Sequence, residues 1–177
     1  PLAFATRLDS VPASAAYIAA DPERVALWRE RLGPRGFKVG ICWQGSTEKV
    51  DKGRSFPLER FAEVSRIPGV RLISLHKGAG EAQLSQMAEL DVEILGPDFD
   101  PPGNAFEDTA AVMMHCDLVI TSDTAIAHLA GALGRPVWVI LKRLPDWRWL
   151  MDRDDSHGYP SRRLFRQTES GNWQSPL

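Results

Sequence analysis

Hydrophobic and polar positions along this chain fall into two alternating rhythms. Short apolar runs of four to six residues, KVGICW (38–43), VRLISL (70–75), VEIL (92–95), DLVIT (117–121) and VWVIL (137–141), have the length and β-branched content of buried strands. Between them lie segments with helical spacing: Pro57 to about Arg66, about Gly80 to Leu90, a segment opened by Asn104 and Glu107, and 124–133. Asn104 and Glu107 stand three apart, as in a capping box, with Phe106, Ala110 and Met113 on one face. Ile126, Leu129, Ala130 and Leu133 give the last helix an i, i+3, i+4, i+7 stripe that stops at Gly134. Strands alternating with helices imply parallel crossovers and a sheet covered on both faces. The expectation is a doubly wound, mostly parallel α/β domain of the Rossmann-like kind. Ahead of it, DPERVALWRERLGP reads as a helix capped by Asp21, with Pro22 in the first position and Val25, Trp28 and Leu32 on one face, serving as an arm or linker. A last strand is expected near RRLF (162–165).

The 177 residues, 44% of them hydrophobic, suffice for one core. Residues 1–36 are read as linker and helix, 37–167 as the Rossmann-like domain and 168–177 as a tail. Lys and Arg number 21 against 23 Asp and Glu, a net charge of −2, so bulk charge gives no reason to expect nucleic acid or an anionic membrane as partner. No run approaches a membrane span, and PLAFATRLDS lacks the basic-then-apolar order of a signal sequence, so a cytoplasmic location is expected. Cys42 and Cys116 sit in or beside apolar segments, as reduced core thiols would. Four scattered histidines and two distant cysteines show no metal-ligand spacing, and no metal is expected.

In an open parallel sheet, ligands bind beyond the carboxyl ends of the strands where the strand order reverses. If the first and fourth strands are neighbours there, Gln44 to Lys52 and Thr121 to Thr124 face one crevice. The helix after Thr124 would present unpaired amides and the positive end of its dipole, a natural seat for a phosphate. Ser122 and Asp123 can equally be caps for that helix. His128 lies one turn after Thr124 beside Ala127 and Gly131; a hydrogen-bonded structural role competes with a functional one. The loop QGSTEKVDKGRSFP carries Gln44, Gly45 and the cations Lys49, Lys52 and Arg54, but neither GxxxxGK[ST] nor GxGxxG. Arg54, close to Pro57, is the best anchored of the three and suits a phosphate bidentately. LHKGAGE offers His76, Lys77 and Glu81 for ribose hydroxyls or a base, or simply as surface groups opening a helix.

SDTAIAHLAGALGRPVWVIL, followed by PDWRWL and YPSRRLFRQ, resembles the C-terminal half of GT-B glycosyltransferases of the heptosyltransferase-like group, family nine. The likeness is greatest to the glycosyltransferase domains that follow tetratricopeptide repeats in bacterial proteins. It runs from about residue 38 to 167, and RSFPL looks like the basic residue and WP pair of heptosyltransferases. The resemblance implies a nucleotide diphosphate sugar as substrate and no cofactor. Thr124 and Ala125 would meet the phosphates, Arg54 would neutralise them, and Glu81 or the His76 loop would reach the ribose. Asp123 and His128 would face the sugar or its phosphate. Phe106 or Asn104 would approach the base, although core packing is the stronger reading of Phe106. Heptosyltransferases usually have glycine where this chain has Ala125, and the Glu81 loop matches poorly.

By the same resemblance an N-terminal acceptor half, and tetratricopeptide repeats, would precede residue 1, and this segment alone would bind donor without efficient transfer. Two other functions stay open: a noncatalytic nucleotide-recognition module and a GT-B epimerase acting on nucleotide sugars. Trp147, Trp149 and Trp173 can stack on a ligand but are better read as clamps holding the terminal segment on the core. Sugar, base, acceptor and oligomeric state are not legible.

Overall fold

The five apolar stretches and the expected RRLF segment supply six strands, and every pairing between them is parallel. The computed structural model describes all residues except 1–4, 6, 8–9, 12–15, 47–52, 88, 152, 157–158, 175 and 177. The elements in chain order are α1 (Pro22–Leu32), β1 (Phe37–Cys42), a 3-10 turn (Leu58–Phe61) leading into α2 (Ala62–Ser65), β2 (Val70–Ser74), α3 (Ala82–Gln86), β3 (Val92–Glu93), α4 (Glu107–Met113), β4 (Leu118–Ser122), α5 (Ala125–Ala132), β5 (Val137–Leu141), a 3-10 turn (Trp147–Trp149) and β6 (Arg162–Arg166). The sheet order is β3-β2-β1-β4-β5-β6, so the order reverses between β1 and β4, where Ile41 stands opposite Ile120 and Cys42 opposite Thr121.

The period-2 alternation of strands sorts the core into two layers. Val119, Val137, Val139 and Leu141 face one side and pack with α1, α4 and α5 through Trp28, Val112, Met113, Ile126 and Ala130. Val39, Ile41, Ile120 and Ile140 face the other side, against Phe56, Leu58, Phe61 and Leu90. Gly40 in β1 allows close packing within the first of these layers: a Cβ there would sit 2.7 Å from Leu75 Cδ1 and 3.1 Å from Cys116 Sγ.

Several expected features take another form. The helix expected from Pro57 is a 3-10 turn followed by one turn of α-helix, and the one expected from Gly80 to Leu90 shrinks to α3 and ends at Met87. β3 pairs over two residues only; it is an edge strand, Ile94 is 68% exposed, and the chain turns away at Gly96, whose φ is +92°. The Asn104–Glu107 capping box does not form, because Phe106 takes a left-handed φ of 70° and ends the approach to α4 without a side-chain cap. Asp100 caps the helix from a distance instead, its Oδ1 accepting from Asp108 N at 2.8 Å and Thr109 N at 3.3 Å.

α1, expected as an arm, lies on the core. Asp21 caps it as expected, accepting from Arg24 N at 2.9 Å. Trp28 is 2% exposed, and its indole N–H donates to Asp108 Oδ1 at 2.8 Å. Arg24 bonds the same oxygen at 2.7 Å, and Asp100 N reaches Oδ2 at 3.0 Å. Burial alone would raise the Asp108 carboxyl, yet these donors hold it below the ordinary carboxylate value. Asp108→Ala strands the Trp28 and Asp100 donors in a buried place, so we expect a loss of about 2–4 kcal/mol in denaturant unfolding, while Glu107→Ala, at an exposed ion pair with Arg24, stays within about 0.5 kcal/mol.

Candidate functional site

At the point of strand reversal β4 delivers Thr121 and Ser122, both fully buried, into a tight turn at Asp123. Thr124 is the extended residue before α5, with φ −134° and ψ 175°, and its side chain makes no capping hydrogen bond. Thr121 Oγ1 donates to Ser122 C=O at 3.0 Å and lies 3.0 Å from Thr124 Oγ1, so the Thr124 hydroxyl is the donor in that pair. The capping alternative for Ser122 and Asp123 therefore fails. Asp123 is 4% exposed, yet its Oδ2 has no hydrogen-bond partner among the described residues, and neither has Ser122 Oγ. An unpaired buried carboxylate oxygen is costly unless something else completes it.

These residues edge a cleft of about 770 Å³. Gln44, Gly45, Ser46 and Arg54 form one wall, His76, Lys77 and Ala79 a second, Asp100, Phe106 and Thr109 a third; Asp123 to Ile126, His128 and Arg148 close it. The first wall is pinned: Gly45 N donates to Ser55 Oγ at 3.2 Å, Phe56 N to Trp43 C=O at 2.9 Å, and Gln83 Nε2 to Gln44 Oε1 at 3.0 Å. Of the residues singled out in the sequence, Gln44, Gly45, Arg54, His76, Asp123, Thr124, Ala125 and His128 meet in this cleft. Ser122 lies beneath it. Glu81 does not line it; its Oε1 accepts from Gly78 N at 2.7 Å on a neighbouring hollow of about 460 Å³ that shares His76 and Lys77. Lys49 and Lys52 lie outside the described residues.

A profile of glycosyltransferase family 9 (heptosyltransferase) matches residues 35–140, more than half of the chain. The chain belongs to glycosyltransferase family 9. It is 33% identical over 174 residues to Protein FlbA of Caulobacter vibrioides, a match that covers 96% of this chain and 29% of that protein. Among solved structures, ADP-heptose lps heptosyltransferase II of E. coli superposes with a TM-score of 0.63 at 16% identity, over 90% of this chain and 48% of that one. A family 9 glycosyltransferase from Veillonella parvula gives 0.63 at 18% identity over 88% and 44%. E. coli heptosyltransferase WaaC with ADP-2-deoxy-2-fluoro heptose gives 0.53 at 20% identity over 79% and 40%. At these identities the structural likeness is one of fold, that of one Rossmann-like half of a GT-B enzyme.

For a family 9 domain the cleft has a telling charge pattern. Arg54, Lys77, Arg148 and the start of α5 supply positive charge and Asp123 a carboxylate oxygen, a set that suits an anion bearing hydroxyls, while Asp100 lines the cleft with both its oxygens engaged at the start of α4. No three His, Cys, Asp or Glu residues gather to hold a metal among the described residues. No helix among them is long and apolar enough to cross a membrane. Cys42 reaches the cleft floor, but burial pushes its thiol up to about 11, so it is no thiolate nucleophile at neutral pH.

Sequence reasoning missed Asp100 and Arg148 and misjudged Phe106. Phe106 is 44% exposed on the cleft rim, which overturns the core-packing reading; its left-handed backbone turns the ring out of the stripe shared by Ala110 and Met113. Asp100 stands in a DPP loop that carries no helical period, and Arg148 is hidden between two tryptophans. Of these, Trp149 is buried and Trp173 packs on Phe56 at 5.6 Å, as clamps would, whereas Trp147 is 72% exposed.

His76 is held on all sides. Its Nε2 meets Ala79 C=O, which can only accept, so Nε2 carries the proton and Nδ1 faces the Cys42 thiol at 3.5 Å. Trp43 stacks on the ring at 4.5 Å. Burial lowers its pKa below the ordinary 6.5. A depressed histidine favours the folded state above the unfolded pKa; that contribution is lost as pH falls from about 6.5 through the folded value. Denaturation midpoints should therefore drop between pH 7.5 and 5, and His76→Gln, which keeps a donor toward Ala79 without titrating, should flatten the drop. An equal slope in the variant assigns the pH dependence elsewhere.

Proposed function

We propose that this chain holds the nucleotide diphosphate sugar of a glycosyltransferase, which transfers the sugar to a hydroxyl acceptor. The observation that carries the reading is the start of α5, which the Thr124 side chain leaves uncapped, beside the Asp123 Oδ2 that has no partner among the described residues, both bordering one cleft. The first amides of α5 and the Arg54 guanidinium suit the diphosphate. Asp123 would repel a phosphate, so its free oxygen suits a sugar hydroxyl, with His128 a turn further along the same wall. Phe106 on the opposite rim offers a face for the base, and the His76 loop with Glu81 stands next to where a ribose would lie. A solved structure similar in fold holds ADP-2-deoxy-2-fluoro heptose, which favours an ADP-linked donor.

Breaking the anomeric bond leaves negative charge on the departing diphosphate. Fixed amides and Arg54 stabilise that charge more in the transition state than in the bound donor, which is the condition for rate enhancement. In this reading the reaction needs no cofactor and no metal. The chain spans 29% of its Caulobacter relative and 48% of the E. coli enzyme. In this reading acceptor binding belongs to a further N-terminal half, this segment alone binds donor without efficient transfer, and the proposed setting is a cytoplasmic protein with tetratricopeptide repeats upstream.

Calorimetry with ADP-, UDP- and GDP-linked sugars tests the assignment. Arg54→Ala should weaken donor binding about tenfold or more. Ala125→Pro removes one helix-start amide at a position where proline fits and where the preceding Thr124 is already extended, so binding should fall while the fold persists. Donor affinity unchanged in both variants would place the diphosphate elsewhere. Binding without transfer after joining to an acceptor half would identify a recognition module, and turnover without acceptor an epimerase.

A further inference from the structure

Arg162, the first residue of β6, is 5% exposed, and no carboxylate pairs with it among the described residues. Its Nη2 donates to Ala127 C=O at 2.6 Å, and its Nε has no hydrogen-bond partner among the described residues. Its guanidinium lies 3.6 Å from the Tyr159 ring centre and 4.9 Å from that of Trp149. Both rings also touch His128: Trp149 stacks on the imidazole at 5.6 Å and 28°, and Tyr159 meets it edge-on at 6.2 Å. Gly131, one turn beyond Ala127, is required for this assembly, since a Cβ would come within 2.5 Å of Tyr159 and 2.8 Å of Arg162. A buried cation satisfied by one carbonyl, the Tyr159 phenol and two aromatic faces, with Asp123 acting on it only through its charge, is an expensive way to fill space, because an apolar side chain would avoid its desolvation. The cluster therefore calls for another purpose.

We propose that Arg162 is a positioning residue of the cleft, clamping Trp149 and Tyr159 as two walls that fix the His128 ring toward the sugar. The proposal rests on the donor-site reading of the cleft, but its geometry exists without donor. The charges around His128 bear on it from every side: Arg162 on β6, Arg148 and Asp146 on the 3-10 turn, and Asp123 ahead of α5. Burial first, then Arg162 and Arg148, lower the His128 pKa, while Asp123 and Asp146 oppose them. Arg162 itself is lowered by burial to about 10 and stays charged at neutral pH. A neutral imidazole held edge and face can accept from or donate to a sugar hydroxyl without adding a charge beside the leaving group.

Nuclear magnetic resonance of the whole chain without donor reads this directly, through the His128 Hε1 resonance, assigned with His128→Gln. In the native chain it should be ring-current shifted and titrate below the ordinary histidine range. Arg162→Met should move the shift toward its random-coil position and raise the proton affinity of His128 roughly threefold to tenfold, since a nearby positive charge is removed. Arg162→Lys keeps the charge without the flat face, so the titration should stay near native while the shift changes. A folded Arg162→Met chain with both shift and titration unchanged would overturn the proposal. Should that variant fail to fold, Tyr159→Leu removes one wall and leaves the cation; an unaltered His128 shift there overturns it equally. Because no donor is present, these outcomes are independent of whether the calorimetric assignment of the diphosphate holds.

Discussion

The parallel pairing of β1 with β4 is the constraint on which the site depends. It is the one place in the sheet where neighbouring strands send their chains in opposite directions, so the loops after them part and leave a crevice. Cys42 opposite Thr121 sets the register, and the loop beginning at Gln44 then faces the turn at Asp123 across the opening. A slip of one residue would turn Ile41 and Ile120 out of their layer as well as misplace the turn, so core packing and site geometry share one register.

Much of this was legible in the residues. Strand length and β-branching mark the sheet, and the stripe from Ile126 to Leu133 marks α5, because those patterns are imposed by burial on two faces. The polar join Thr121 to Thr124 marked a candidate site because polar residues between a buried strand and a buried helix are costly without a purpose, and Asp123 and Thr124 do border the cleft. Less was legible where long-range contacts decide local structure. The capping box at Asn104 is a sound local signal, but Asp100 reaches over and supplies the cap, which frees Phe106 to turn outward. α1 looked like an arm because nothing nearby in sequence pairs with it; its anchor, Asp108, is 80 residues away from Trp28.

Polar groups inside this domain divide into two kinds. Asp108 is complete, its oxygens taken by Trp28, Arg24 and Asp100, and its task is architectural. Asp123 differs: its Oδ2 finds no partner among the described residues, and it stands in a wall that borders the cleft. His76 and His128 show the same division: the first has both ring nitrogens engaged by the protein, and the second is gripped by ring faces, an arrangement that fixes its plane without a described hydrogen bond.

One tie links the cleft to the far end of the molecule. Tyr17, ahead of α1, meets the hydroxyl of Tyr159 at 2.8 Å, while the backbone N–H groups of Tyr17 and Ile18 both reach Ala132 C=O at the end of α5. The segment ahead of α1 is thus fastened both to the last carbonyl of α5 and to a ring beside His128, without passing through the sheet.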